Sequence, residues 1–154
     1  ERARRDFPSM WKKVLGDSAD IARKHLGNNF NTAGGSFGKK WQELATMTQK
    51  DRLKKGYQPK KPILVRRGWL RASVVSKNSK NHKQEVSNLG VTLYSTLTVK
   101  GHNLFDIHQE GTNHIPARKI SKEGNPRFIN NQGWKEIEAR MTGMFLELRE
   151  KMEN

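Results

Sequence analysis

Residues 85–100, EVSNLGVTLYSTLTVK, alternate in character once past Gly90. Val91, Leu93, Ser95, Leu97 and Val99 fall on one side, while Thr92, Thr96 and Thr98 fall largely on the other. A period of two is the mark of a half-buried β-strand. Tyr94 interrupts the polar side, which suggests that this side is partly covered. Just upstream, PILVRRGWLRASVVSK (62–77) holds an apolar run, a glycine, Leu70 and the β-branched pair Val74-Val75. The reading is therefore a long hairpin: two strands within 63–100, joined by the polar turn 78–83.

Around this pair the chain reads as helix. Phe7, Trp11, Val14, Ser18, Ile21/Ala22 and His25/Leu26 recur at three- and four-residue steps, so 1–30 forms an N-terminal helix. Asp6 is its expected N-cap, with Pro8 in the first turn and Gly27-Asn28-Asn29 at the end. Residues 31–38 form a glycine-rich loop. A short helix or irregular segment from 39 to about 55 is anchored by Trp41, Leu44 and Met47. Residues 103–111 form a short helix, with Asn103 as N-cap and Gly111 as C-cap. A basic loop or ribbon covers 112–132, with a turn at EGNP. Trp134, Ile137, Met141, Met144, Phe145, Leu148 and Met152 make one apolar stripe on a long C-terminal helix, 133–153. The expected fold is a single α+β domain: a small antiparallel sheet with a long hairpin, packed against N-terminal and C-terminal amphipathic helices. At 154 residues the chain has room for one modest core.

Composition narrows the function classes. With no cysteine there are no disulfides, thiolate metal sites or cysteine nucleophiles. No apolar run of about 18 residues is present to span a membrane. The basic flank at 1–5 is not followed by the apolar stretch of a secretory signal. The chain does not open on Met, so residues are expected to precede Glu1. Thirty Lys and Arg against fifteen Asp and Glu leave a net charge of +15, a field that draws polyanions over about 10 Å. Much of it lies between Lys39 and Lys83, where Lys54, Lys55, Lys60, Lys61, Arg66 and Arg67 stand among further cations and the only acids are Glu43 and Asp51. These six are the candidate contacts to a polyanion or to an acidic partner subunit. No aromatic interleaving or base-reading motif accompanies them.

Three patterns could signal an enzyme. Gly34-Gly35-Ser36-Phe37-Gly38 matches G-x-S-x-G, but a nucleophile elbow needs a strand running into the serine, and here a helix precedes it. Of the evenly spaced His102, His108 and His114, the first two are six apart and fall on different sides of a short helix. Asp106 and Glu110 share a face but lack a third ligand, so no metal site is expected. No phosphate-binding glycine loop is present. The expectation is no catalytic residue, no cofactor and no metal.

Three segments resemble, in order, the virion morphogenesis or tail-completion family of tailed bacteriophages. NFNTAGGSFGKKWQELATMTQKDRLKKG (29–56) is similar to its glycine loop, Trp and basic run. PILVRRGWLRASV (62–74) is similar to its apolar-Gly-x-Leu-Arg-x-Ser segment. FDIHQEGTNHIPARKI (105–120) is similar to its His-Gln-x-Gly and Ile-Pro-Ala-Arg. The resemblance implies a non-enzymatic virion protein that assembles in the host cytoplasm as a homo-oligomeric ring, by default a hexamer. The ring would sit at the head-proximal end of the tail, finishing the tube and offering the joining surface for the head. Its implied partners are its own copies, tail-tube and connector proteins, and DNA passing through the lumen, with no membrane. The motif positions carried over are Trp41, Leu64, Gly68, Leu70, Arg71, His108, Gln109, Gly111, Ile115, Pro116 and Arg118. Their implied roles are structural: a positive φ at Gly68, an extended backbone at Pro116, and a fork for a carboxylate at Arg118. Here KISKEGNPRFINNQ (119–132) is longer and more basic than the family pattern. The alternative from a different class is a basic nucleic-acid-binding protein.

Overall fold

In the computed structural model, which describes residues 2–60, 62–121 and 131–153, the chain is α+β. In chain order, helix α1 spans Arg2–Asn31, α2 Thr46–Lys54 and α3 Trp69–Val75. Strands β1 (His82–Ser87) and β2 (Gly90–Ser95) follow, then a two-residue pair β3 (Thr98–Val99) and β4 (His102–Asn103). Helices α4 (Leu104–Glu110) and α5 (Asn131–Glu153) complete the described chain. The pairs β1–β2 and β3–β4 are both antiparallel and form two separate two-stranded sheets.

Helix α1 is the spine. Its C-terminal half supplies Leu26 and Phe30 to the main core, which also takes in Trp41, Ile63, Leu70, Val74 and Ile120. Phe30 meets Trp41 edge-on, with centroids 5.6 Å apart, a geometry worth about 1 kcal/mol beyond the area buried. Its N-terminal half packs Val14 against Met144 and Leu148 of α5. The two helices run antiparallel, as the ion pairs Asp6–Lys151, Asp17–Arg140 and Lys24–Glu136 require.

The hairpin also lies along α1. At its base, Arg23 Nη1 lies 3.3 Å from His82 Nε2 and donates to Gln84 Oε1 at 2.7 Å. At its tip, Trp11 Nε1 donates to Asn88 O at 3.0 Å. The twelve helical steps from Trp11 to Arg23 rise about 18 Å, close to the roughly 20 Å of a six-residue strand. Val91, Leu93 and Ser95 lie on the less exposed side of β2, so the alternation read there is present.

The hairpin has a different register from the one expected. The pairing His82↔Ser95 to Ser87↔Gly90 puts the turn at Asn88-Leu89, inside the stretch read as one strand. Residues 78–83 do not form the turn, and 63–75 contributes no strand. Instead Ile63 and Leu64 turn, and Gly68 (φ 75°) opens α3. The buried residues Leu70, Ser73 and Val74 follow a helical spacing that brings α3 onto α1. Tyr94 is not covered; it is 40% exposed and donates across the pair to Glu85 Oε1.

Four further expectations are corrected. Helix α1 starts at Arg2, so Pro8 is interior and Asp6 is no cap: the Asp6 carboxylate bonds Lys151, and its carbonyl accepts from Ser9 Oγ. Gly27-Asn28-Asn29 does not end α1, because Gly27 and Asn29 are buried in tertiary contact, Gly27 beside Arg71 and Val75. Met47 is 80% exposed and anchors nothing. On α5 the stripe is narrower than read: Ile137, Met144 and Leu148 are buried, but Phe145 and Met152 are exposed. The caps of α4 are as read, with Asn103 Oδ1 accepting from Phe105 N at 2.8 Å and Gly111 at φ 82°. Of the basic loop expected at 112–132, residues 112–121 are described and 131–132 open α5; its turn at EGNP lies outside the described residues.

Candidate functional site

Four of the motif residues, Trp41, His108, Gln109 and Arg118, converge on one object, a strap formed by residues 118–121. Gln109 is buried and closes three bonds on it: Oε1 accepts from Ile120 N (2.8 Å) and Ser121 N (3.0 Å), while Nε2 donates to Ser121 O (3.0 Å). Trp41 Nε1 donates to Lys119 O at 2.9 Å. Arg118 N donates to His108 O at 2.6 Å, and Arg118 Nε to Gln42 O at 3.3 Å. A side chain that replaces missing backbone partners lets an irregular segment be buried without orphaned polar groups. This is how Ile120 comes to be fully buried without belonging to helix or strand.

Two glycines are required by close approach. A Cβ on Gly34 would stand 2.6 Å from Trp41 Cδ1, and one on Gly111 would stand 2.7 Å from Ala117 N. The glycine loop before Trp41 is thus the notch into which its indole fits. Leu64 and Leu70 pack in or on the main core, and Leu64 does so at φ 62°, a conformation unfavourable for leucine. Ile115 and Pro116 are half-buried, Ile115 closing a turn with Thr112. Arg71 is half-buried beside Gly27. The fork expected of Arg118 meets a backbone carbonyl rather than a carboxylate among the described residues. Burial lowers its pKa and, with Arg118 nearby, drives that of His108 down to about 4, so His108 is neutral at physiological pH.

Asn29 belongs to this site and escaped the sequence reading. Its Nδ2 donates to both Lys119 O and Ile120 O at 3.0 Å. In the sequence it stands in a Gly-Asn-Asn run that looks like a helix end, and nothing local marks it as buried.

Ser36 lies in a 3-10 turn, Gly35–Phe37, that follows α1. Its Oγ donates to Asn29 Oδ1 at 3.2 Å and its N–H to Thr32 Oγ1 at 2.9 Å, so it braces the loop. Among the described residues no three His, Asp or Glu side chains gather to hold a metal ion. A cleft lined by Glu43, Leu44, Gln49, Lys60 and Ile63 encloses about 40 Å³, far below the several hundred Å³ of a small-molecule site. No described helix is long and apolar enough to cross a membrane.

The second concentration of candidate residues is the basic loop between α2 and α3. Lys54 and Lys60 are exposed. Lys61 lies outside the described residues. Asp51 pairs with Lys55 at 2.5 Å and Arg66 at 3.3 Å, which holds its carboxyl below the ordinary range, Lys55 contributing most. The sequence reading found no aromatic interleaving here, but folding supplies it. The Arg66 guanidinium lies 5.1 Å from the Tyr57 ring centroid, and that of Arg67 lies 5.0 Å from the Trp69 ring. Nor does the sequence show that Arg52, one of the run of cations, is 3% exposed; its Nη2 donates to Pro62 O at 3.2 Å. The chain matches no family model, and no curated protein or solved structure matches it.

Proposed function

We propose that this protein is a structural phage assembly factor, not an enzyme, that completes or terminates the tail tube as a homo-oligomeric ring and presents the surface to which the head joins. The observation that carries the reading is the apolar surface left on a strongly charged subunit. Leu89, at the hairpin tip, is 96% exposed, and Val86, Phe145, Leu146 and Met152 are exposed as well. A two-stranded hairpin also leaves one edge of each strand without a ladder partner among the described residues. Free edges and apolar side chains of this kind are what subunit contacts cover. The three segments that resemble the tail-completion family support the same reading, the first and third supplying Trp41 and Gln109 to hold the strap.

The test is the solution mass by light scattering after size exclusion at moderate salt, followed by negative-stain imaging of the main peak. Closed rings with an open lumen are expected, and Leu89→Asp or Phe145→Glu should release subunits that keep the circular dichroism of the parent. A parent chain that stays monomeric at high concentration, and also fails to add to tail tubes, would sink the proposal.

A further inference from the structure

The geometry points to a phosphodiester-binding site on the loop between α2 and α3, built on Arg66 and Arg67 and backed by the buried Arg52. Three observations carry it. First, Arg52 is a buried cation whose neighbouring carboxylate is engaged elsewhere. Asp51 is held by Lys55 and Arg66, leaving Arg52 the carbonyl of Pro62. Burying a guanidinium without a counter-charge is strongly unfavourable. Arg66 adds a second positive charge close enough to repel the first, and the Nε of each arginine is buried without a partner. The local charge is therefore unbalanced, and an anion from solution would restore it.

Second, the balance of charge extends well past a single carboxylate. From 50 to 71 the only acid is Asp51, among nine lysines and arginines, and the exposed Lys54 and Lys60 make no ion pair among the described residues. Spaced cations suit a polymer of spaced anions. Third, each of two adjacent arginines lies over an aromatic ring, and Trp69 beneath Arg67 remains 60% exposed. Stacking holds the exposed Arg67 guanidinium in place, and Arg67 makes no ion pair among the described residues, whereas Arg66 is shared with Asp51. The exposed indole offers a face to a base or sugar. An acidic peptide would use the charge but not the ring, so nucleic acid is the ligand these features favour. The site belongs to a single subunit and does not rest on ring formation.

The experiment is fluorescence anisotropy with a labelled oligonucleotide of about 20 nucleotides, single-stranded and as duplex, between roughly 50 and 200 mM salt. Arg66→Ala/Arg67→Ala is compared with Lys12→Ala/Lys13→Ala, which removes the same charge from the exposed face of α1. The loop variant should weaken binding at least about tenfold more than the control and flatten the salt slope by about one to two. Equal losses in the two variants would overturn the site, leaving only the overall +15 field. Displacement of DNA by polyglutamate at equal charge, as effective as by unlabelled DNA, would also overturn it in favour of an acidic protein partner. Arg52→Met tests the buried cation separately. It should weaken binding while leaving the melting temperature equal or higher, whereas a lower melting temperature with unchanged binding would assign Arg52 to the fold alone. DNA binding without rings would keep this site and remove the assembly reading, and rings without DNA binding would do the reverse.

Discussion

At the scale of single residues, the strap at 118–121 depends on atoms that have no substitute. Gly111→Ala would force a Cβ against Ala117 N at a φ of 82°, and the expected loss is about 2–4 kcal/mol, read as a lowered denaturation midpoint in urea. Two histidines make stability depend on acid. Burial is the first cause that lowers the pKa of both His108, to about 4, and His82. In the unfolded chain both take up protons near pH 6.5; the folded chain binds them less readily, His108 only near pH 4. Folded stability should therefore be full at pH 7 and fall as pH drops from about 6.5 toward 4, by roughly 2 kcal/mol for His108 after allowing for its incomplete burial. His108→Gln should flatten this part of a melting-temperature profile against pH; an unchanged profile would show that His108 does not govern it. These roles were only partly legible beforehand. Gln109 and Trp41 stood out by motif, but Asn29 and Arg52 acquire their meaning from partners far along the chain or from burial, and no neighbouring residue announces either.

At the scale of elements, α1 is both the longest helix described and the surface on which the hairpin, α3 and α5 settle. Pro8 removes one N–H and crowds a carbonyl one turn back, a defect worth up to about 3 kcal/mol in a helix interior. Pro8→Ala should raise the melting temperature; a fall would mean that the proline bends α1 to fit its neighbours. Across the helix pair, Leu148→Ala removes a buried side chain packed on Val14 and should cost about 2–4 kcal/mol, measured by chemical denaturation. The exposed ion pairs along the same seam should contribute little, because solvent screens them. The terminal helices were legible because a 3.6-residue stripe is a local signal. The first strand was misplaced for an equally physical reason: HKQEVS is polar at nearly every position and buries only His82, so its pairing rests on Arg23 and on β2 rather than on a period of its own. By contrast, the apolar run at 63–75 looked like a strand, yet its helical spacing suits packing on α1.

At the scale of the whole molecule, charge dominates. A net +15 repels itself in the compact state, so raising salt from about 10 to 150 mM, which shortens the screening length from about 30 to 8 Å, should raise the melting temperature. A melting temperature that falls with salt would show that attractive ion pairs such as Glu136 with Lys24 and His25 outweigh the repulsion. From its residues alone the chain settles its class, its terminal helices, the capped helix α4 and the strongly basic character of residues 50–71. Each rests on periodicity, capping chemistry or charge, all of which act between residues close in sequence. Folding settles the hairpin register, the burial of Arg52 and Asn29, the aromatic rings beneath Arg66 and Arg67, and which apolar side chains stay exposed. Those depend on which distant segments meet, and a segment's own composition does not record what will lie across from it.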